Sequence, residues 1–179
     1  GMIGNNSCGS YSIFYGTTRD HVKSIEVILS DGSLVEFKEL SEKELGDKLS
    51  MQTLEGDIYR FVINLLNNNQ QEILDAFPDE SLIRRNTGYA LDELIRKYKP
   101  FNKNGKRFNL ASLICGSEGT LGVIVSATLN LVNLPKHKEL IVAHFSSDEQ
   151  SLNLVRDLVK LNPSAVEYID KPTLEASKN

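Results

Sequence analysis

The stretch of this sequence best suited to hold a ligand is Gly116-Ser117-Glu118-Gly119-Thr120-Leu121-Gly122-Val123-Ile124. It sets three glycines in seven residues directly before an apolar, β-branched run over 123–132. Glycine has no Cβ and tolerates positive φ, so such a backbone turns tightly and can approach a ligand closely. The amides of a loop like this can hold a flat or anionic group. The plainer reading is a turn that serves only to feed a strand. A second stretch is Gly1-Met2-Ile3-Gly4-Asn5-Asn6-Ser7-Cys8-Gly9-Ser10. Its Asn5, Asn6, Ser7 and Ser10 carry donors and acceptors suited to turns and to a polar ligand. A polar surface loop is the plainer reading here too.

Other reactive side chains are scattered. His21, His137 and His144 form no Ser/His/Asp arrangement and no HExxH spacing. His21 reads as a turn or core residue, and His137 and His144 as surface groups. Cys8 lies in a glycine loop where a reactive thiol is conceivable, but a small inert residue is the simpler assignment. Cys8 and Cys115 are far apart and form no CxxC, so no metal or redox pair is expected and a reducing cytosol is the natural compartment. A basic segment holds Arg96, Lys97, Lys99, Lys103, Lys106 and Arg107 among Tyr98, Phe101 and Phe108. Such interleaving can serve single-stranded nucleic acid, yet the net charge of −4 opposes it. A solvated loop is the first reading, and docking of an electron-acceptor partner the second.

These residues need a scaffold, and the chain supplies one. Its 179 residues suffice for one domain with a small appendage, and 40% hydrophobic with 25% charged residues fits a globular protein. No apolar run reaches the length of a membrane span, and no secretory leader is visible. Residues 22–29 alternate as a strand. Ser30-Asp31-Gly32-Ser33 signals a hairpin, and 34–37 reads as the returning strand. Ser41 and the acidic residues after it open a helical region. Ile58, Phe61, Val62, Leu65 and Leu66 have helical spacing, ended by Asn67-Asn68-Asn69. A short helix over 71–77 stops at Pro78. Residues 90–98 form another helix, with Leu91, Leu94, Ile95 and Tyr98 on one face. Residues 99–108 read as a loop and 109–113 as a short turn into Cys115. The run 123–132 is the longest strand, with Val123, Val125, Ala127, Leu129 and Leu131 on one face. Beyond a boundary near Pro135, 140–145 reads as a strand. Ser146-Ser147-Asp148-Glu149 opens a helix with a capping-box pattern. Pro163 ends that helix, 165–169 reads as a second strand, and a helix starts near Pro172. The fold class expected is α+β, a largely antiparallel sheet with flanking helices followed by a small partial β-α-β unit.

The glycine strings also carry a resemblance. GSEGTLGVI resembles the flavin-contacting loop of FAD-linked oxidases of the vanillyl-alcohol-oxidase type, in particular their D-2-hydroxyacid dehydrogenases (D-lactate, glycolate and D-2-hydroxyglutarate enzymes). GMIGNNSCGS resembles the same family's glycine-rich flavin segment, with Tyr15-Gly16 and Asp20-His21-Val22 following as they do there. Asn86-Thr87-Gly88-Tyr89-Ala90-Leu91-Asp92-Glu93-Leu94 resembles its Gly-Tyr segment. One departure is the insertion between Leu94 and Leu110, which resembles larger members with iron–sulfur modules, although no cluster-type cysteine pattern is present here.

The resemblance implies FAD as cofactor and, as its contacts, Gly1, Met2, Gly4, Asn5, Asn6, Ser7, Glu118, Gly119, Gly122, Val123 and Ile124. It implies no catalytic or metal-ligating residue within the chain. Residues 1–135 would be the C-terminal part of the FAD-binding domain, its second subdomain, and 136–179 the incomplete start of a substrate-binding cap. The enzyme so implied is an oxidoreductase taking a small 2-hydroxy acid to a 2-oxo acid through its flavin. The family's first FAD subdomain would precede residue 1 and its substrate and metal residues would follow residue 179. On that basis FAD binding by this chain alone is expected to be weak or absent, turnover absent, and self-association, most simply as a dimer, expected through uncovered apolar surface. The rival expectation is a non-catalytic binding module acting through the basic loop or the tail.

Overall fold

A computed structural model describes residues 1–82, 85 and 88–177. The chain divides into two compact units, residues 1–7 with 17–131, and residues 8–16 with 132–179.

The first unit is built on a three-stranded antiparallel sheet. Strand β1 (Val22–Ile28) is central, between β2 (Leu34–Lys38) and β3 (Val123–Leu129). The β1–β2 hairpin closes as its Asp-Gly pair demands. Gly32 has φ 84°, and Asp31 accepts from the Ser33 amide at 2.9 Å. Ile25 sits opposite Phe37 and Val27 opposite Val35, and all four are buried. Alternation thus puts one face of the hairpin into the core.

Helices cover that face. Helix α3 (Glu42–Ser50) starts at Ser41 with the reciprocal Ser41/Glu44 capping box. Helix α4 (Leu54–Asn68) follows from the Thr53 cap, and α5 (Gln70–Ala76) stops before Pro78. The buried line of α4 is Tyr59, Val62 and Leu66, so its apolar stripe is rotated from the one expected, and Phe61 is exposed. A phenol body is apolar enough to take the core position, and Tyr59 packs its ring 6.0 Å from Phe37 and 6.4 Å from Phe108. Helix α6 (Leu91–Lys97) buries Leu94 and Ile95 as its spacing predicts. The basic segment after it differs from a solvated loop. Lys99 donates its amide to Lys106 O at 2.9 Å, and Phe108 is buried and bridges to Leu40. With Phe108 in the core and Phe101 half-buried against it, those rings are committed to packing rather than to stacking on bases.

Strand β3 corrects a second expectation. Its pairing with β1 slips between Glu26↔Ser126 and Val27↔Ile124, which leaves Val125 as an extra residue. A bulge reverses the alternation. Ile124 and Ala127 therefore turn partly inward, while Val123, Val125 and Leu129 are exposed.

The second unit contains α1 (Ser12–Tyr15), α8 (Asp148–Val159) and α9 (Lys171–Ala176). The cap of α8 falls on Ser147, which accepts from the Gln150 amide at 3.3 Å, one residue later than the expected Ser146. Asp170 caps α9, with Pro172 in the first turn. The strands expected over 140–145 and 165–169 are not formed. A strand is defined by its ladder, and among the described residues these segments have no strand to pair with. Of the expected β-α-β unit only the helix is present. No helix among the described residues is long and apolar enough to cross a membrane.

Candidate functional site

Two glycine-rich loops meet in the first unit. In the first, Asn5 donates its amide to Gly1 O, Asn6 to Ile3 O and Ser7 to Met2 O, at 2.9–3.1 Å, so residues 1–7 wind into a compact turn. Asn6 has φ 48°, a left-handed conformation that asparagine tolerates better than most residues. The second loop leaves α7 (Ala111–Ile114) and passes through left-handed residues at Gly116 (φ 89°), Glu118 (φ 54°) and Gly119 (φ 79°). Thr120 closes the turn, its amide and its hydroxyl both donating to Ser117 O, at 3.0 and 2.6 Å.

The loops are joined backbone to backbone. Gly116 N–H donates to Ile3 O at 3.1 Å, and Glu118 N–H to Gly4 O at 2.9 Å. Gly4, Asn6 and Glu118 are therefore neighbours, with Gly1, Met2, Asn5 and Ser7 in the same turn. Gly119 lies at the outer bend, where an added Cβ would meet nothing within 4 Å. Gly122, Val123 and Ile124 lie against β1 instead. A Cβ on Gly122 would come within 2.5 Å of Val27 Cγ1 and 2.9 Å of Ile28 O, so this glycine permits a close approach of backbones. Val123 pairs with Ile28 and Ile124 with Val27. The third motif joins the pair: the Tyr89 hydroxyl hydrogen-bonds Thr120 Oγ1. Asn86 and Thr87 of that motif lie outside the described residues.

Behind the loops is a residue that sequence reasoning passed over. Arg19 lies on the short helix α2 (Thr18–His21) and is only 6% exposed. Its Nε donates to Ser112 O at 2.9 Å, and its Nη2 donates to Gly88 O at 3.0 Å and to Cys115 O. Its backbone N–H donates to Asn6 Oδ1 at 2.8 Å. Asn6 Nδ2 on the same carboxamide is buried and has no hydrogen-bond partner among the described residues.

Helix α2 is held by a capping box between Thr17 and Asp20, whose Oδ2 accepts from the Thr17 amide at 2.9 Å. Burial pushes the Asp20 carboxyl upward. The Thr17 hydrogen bond and the positive charge of Lys97 together outweigh burial and leave it below the usual aspartate range. A depressed folded value means the carboxylate stabilises the fold above the unfolded pKa of about 3.9, and that contribution is lost as pH falls through the folded value. The stability difference between the native chain and Asp20→Asn is thus expected at pH 6 and expected to vanish in acid. Denaturant titrations showing an equal difference at pH 6 and pH 2.5 would contradict this assignment.

The remaining candidates do not gather here. Cys115 is buried, and desolvation pushes its thiol up to about 11, which keeps it protonated and inert at neutral pH. His137 and His144 are exposed in the second unit. His21 ends α2, and its carbonyl accepts from the Asn130 amide at 2.6 Å, a structural contact.

The sequence comparisons give the proteins that a chain with this loop pair is similar to. A sequence model of the FAD binding domain matches residues 1–38, which include the whole first loop and Arg19. The chain is 32% identical over 179 residues to the D-2-hydroxyglutarate dehydrogenase of Escherichia coli, covering 99% of this chain and 17% of that protein. It is 30% identical over 174 residues to the D-2-hydroxyglutarate dehydrogenase of Pseudomonas putida, covering 97% of this chain and 16% of that protein. To the glycolate oxidase subunit GlcD of Bacillus subtilis it is 24% identical over 176 residues, covering 97% of this chain and 25% of that protein. No solved structure gives a significant match. The chain therefore spans about one sixth of the length of the D-2-hydroxyglutarate dehydrogenases it matches. The resemblance read from the three motifs holds over nearly the whole chain, which is similar to D-2-hydroxyglutarate dehydrogenases and to a glycolate oxidase subunit.

Proposed function

We propose that the two joined loops form one wall of an FAD site in an oxidoreductase that takes a 2-hydroxy acid to a 2-oxo acid. The observation that carries this reading is the pair of backbone hydrogen bonds, Gly116 to Ile3 and Glu118 to Gly4, which unite two motifs more than a hundred residues apart. The residues fit the group in two further respects. The buried Asn6 Nδ2 is a donor with no acceptor among the described residues, and a flavin and its ribityl-diphosphate arm are rich in acceptors. Gly119 leaves open space in front of the outer bend. The residues that would hold the cofactor are Gly1, Met2, Gly4, Asn5, Asn6 and Ser7 from the first loop, and Glu118, Gly119, Gly122, Val123 and Ile124 from the second. The chemistry that bound FAD supplies is acceptance of a hydride from the hydroxyl-bearing carbon, whose hydroxyl also gives up a proton. The chain's own part is to bind and orient through backbone amides, while the short apolar cross-strand pairs keep the loop ends on β1.

The finer organisation is part of the same proposal. Residues 1–135 are the second subdomain of the FAD-binding domain, and 136–179 the start of a cap in which 140–145 and 165–169 become strands when neighbours are supplied. The compartment that goes with this reading is a reducing cytosol, since Cys8 and Cys115 are far apart in sequence and form no CxxC.

Titration with FAD, followed by flavin fluorescence and visible absorbance, tests the reading. Of the weak or absent binding expected from the sequence, the joined loops favour the weak case: saturable binding with a Kd on the order of 100 µM, about 5.5 kcal/mol, since the chain carries only part of the contacts. Absence of saturable change up to roughly 1 mM FAD, about 4 kcal/mol, would remove it.

A further inference from the structure

We propose that Arg19 is the positioning residue that locks the three glycine motifs into a single pocket wall; this rests on the FAD reading of that wall. Each motif ends on this one side chain or its own backbone. The first loop is tied through Asn6 Oδ1 to the Arg19 N–H. The second is tied through Ser112 O and Cys115 O, the carbonyls at the two ends of the segment that delivers Gly116. The third is tied through Gly88 O, one residue before the tyrosine that reaches Thr120.

Geometry gives the arginine a specific task. A guanidinium is a planar fork of five N–H donors, so one group can serve carbonyls of separate segments at fixed angles. The loop makes room for it. A Cβ on Gly116 would lie 2.9 Å from Arg19 Nη2 and 2.8 Å from Gly88 O. Glycine at 116 and arginine at 19 are thus two halves of one fitting. Lysine carries the same charge on a single nitrogen and cannot span the same acceptors. A buried cation is costly unless hydrogen-bonded, and anchoring the core alone would not need one, because β1 and the helices already supply it.

Amide exchange by NMR on the full chain, with and without FAD, tests the proposal in Arg19→Lys and Arg19→Gln. Loss of charged hydrogen bonds should speed exchange of the Gly116 and Glu118 amides by about tenfold or more, while the β1 amides of Ile25 and Val27 stay within about twofold. The FAD Kd should rise by about tenfold in both variants. Unchanged exchange at Gly116 and Glu118 would overturn the inference. So would equal acceleration of loop and β1 amides in both variants, which would make Arg19 a general support of the fold. If the native chain binds no FAD, the cofactor reading falls, and the exchange rates alone decide the role of Arg19.

Discussion

Gly116→Ala is expected to lower the melting temperature by roughly 4–20 °C, and Gly119→Ala by only about 2–8 °C. Both residues have positive φ, at 89° and 79°, so both variants carry the left-handed penalty of about 1–2 kcal/mol. Their surroundings differ. At Gly119 the new methyl would meet nothing within 4 Å, whereas at Gly116 it would press on the Gly88 carbonyl at 2.8 Å and on the Arg19 guanidinium at 2.9 Å. Backbone cannot move aside cheaply, and overpacking of this kind costs about 1–3 kcal/mol more. Against a total stability of about 5–15 kcal/mol this is a large share. The Gly116 variant should also lose affinity for FAD, because its methyl pushes apart the segments that Arg19 joins. Calorimetry on the two variants is the direct check, and equal losses would mean that the loop relaxes around position 116.

Tyr59 should give opposite signs with two substitutions. It is fully buried, and its ring lies between Phe37 and Phe108. Removing it as Tyr59→Ala takes away a large packed ring and should cost about 3–5 kcal/mol. Its hydroxyl is buried without a hydrogen-bond partner among the described residues. Burial, helped by the charge of Glu55, drives its ionisation well above the ordinary phenol range. An unsatisfied buried polar group costs about 1–3 kcal/mol, so Tyr59→Phe should gain about 1 kcal/mol. Urea unfolding of both variants reads the effect. A Tyr59→Phe variant less stable than the native chain would show that the hydroxyl has a partner.

The sequence revealed what depends on neighbours along the chain. The Asp31-Gly32 turn, the Ser41/Glu44 capping box, the Leu94–Ile95 face and the stops at Asn69 and Pro78 are each written in a few adjacent residues. The meeting of the glycine loops was implied by the motifs but not derivable from them, because the hydrogen bonds between residues 3–4 and 116–118 use main-chain atoms that every sequence has. The phase of α4 was misread because Tyr59 counts as half polar by composition and wholly apolar by its packing. The bulge at Val125 reversed the pattern on β3 without any glycine or proline to announce it. The strands over 140–145 and 165–169 have the right side chains, but side chains do not make a ladder without a second strand.

The acceptors of Arg19 have an evolutionary consequence. Ser112, Cys115 and Gly88 receive the guanidinium through their carbonyl oxygens, so the side chains at 112 and 115 can drift without disturbing the bond. None of these three acceptors offers a side chain whose exchange would answer a change at position 19. Methods that infer contacts from paired substitutions would therefore find little signal linking it to those positions, even though the arginine touches all of them. Asn6 is the exception, and only from its own side: it accepts through a side chain, but from a main-chain N–H that any residue other than proline would present. A single substitution at 19 has no second-site suppressor among these partners, which leaves reversion as the simple route back.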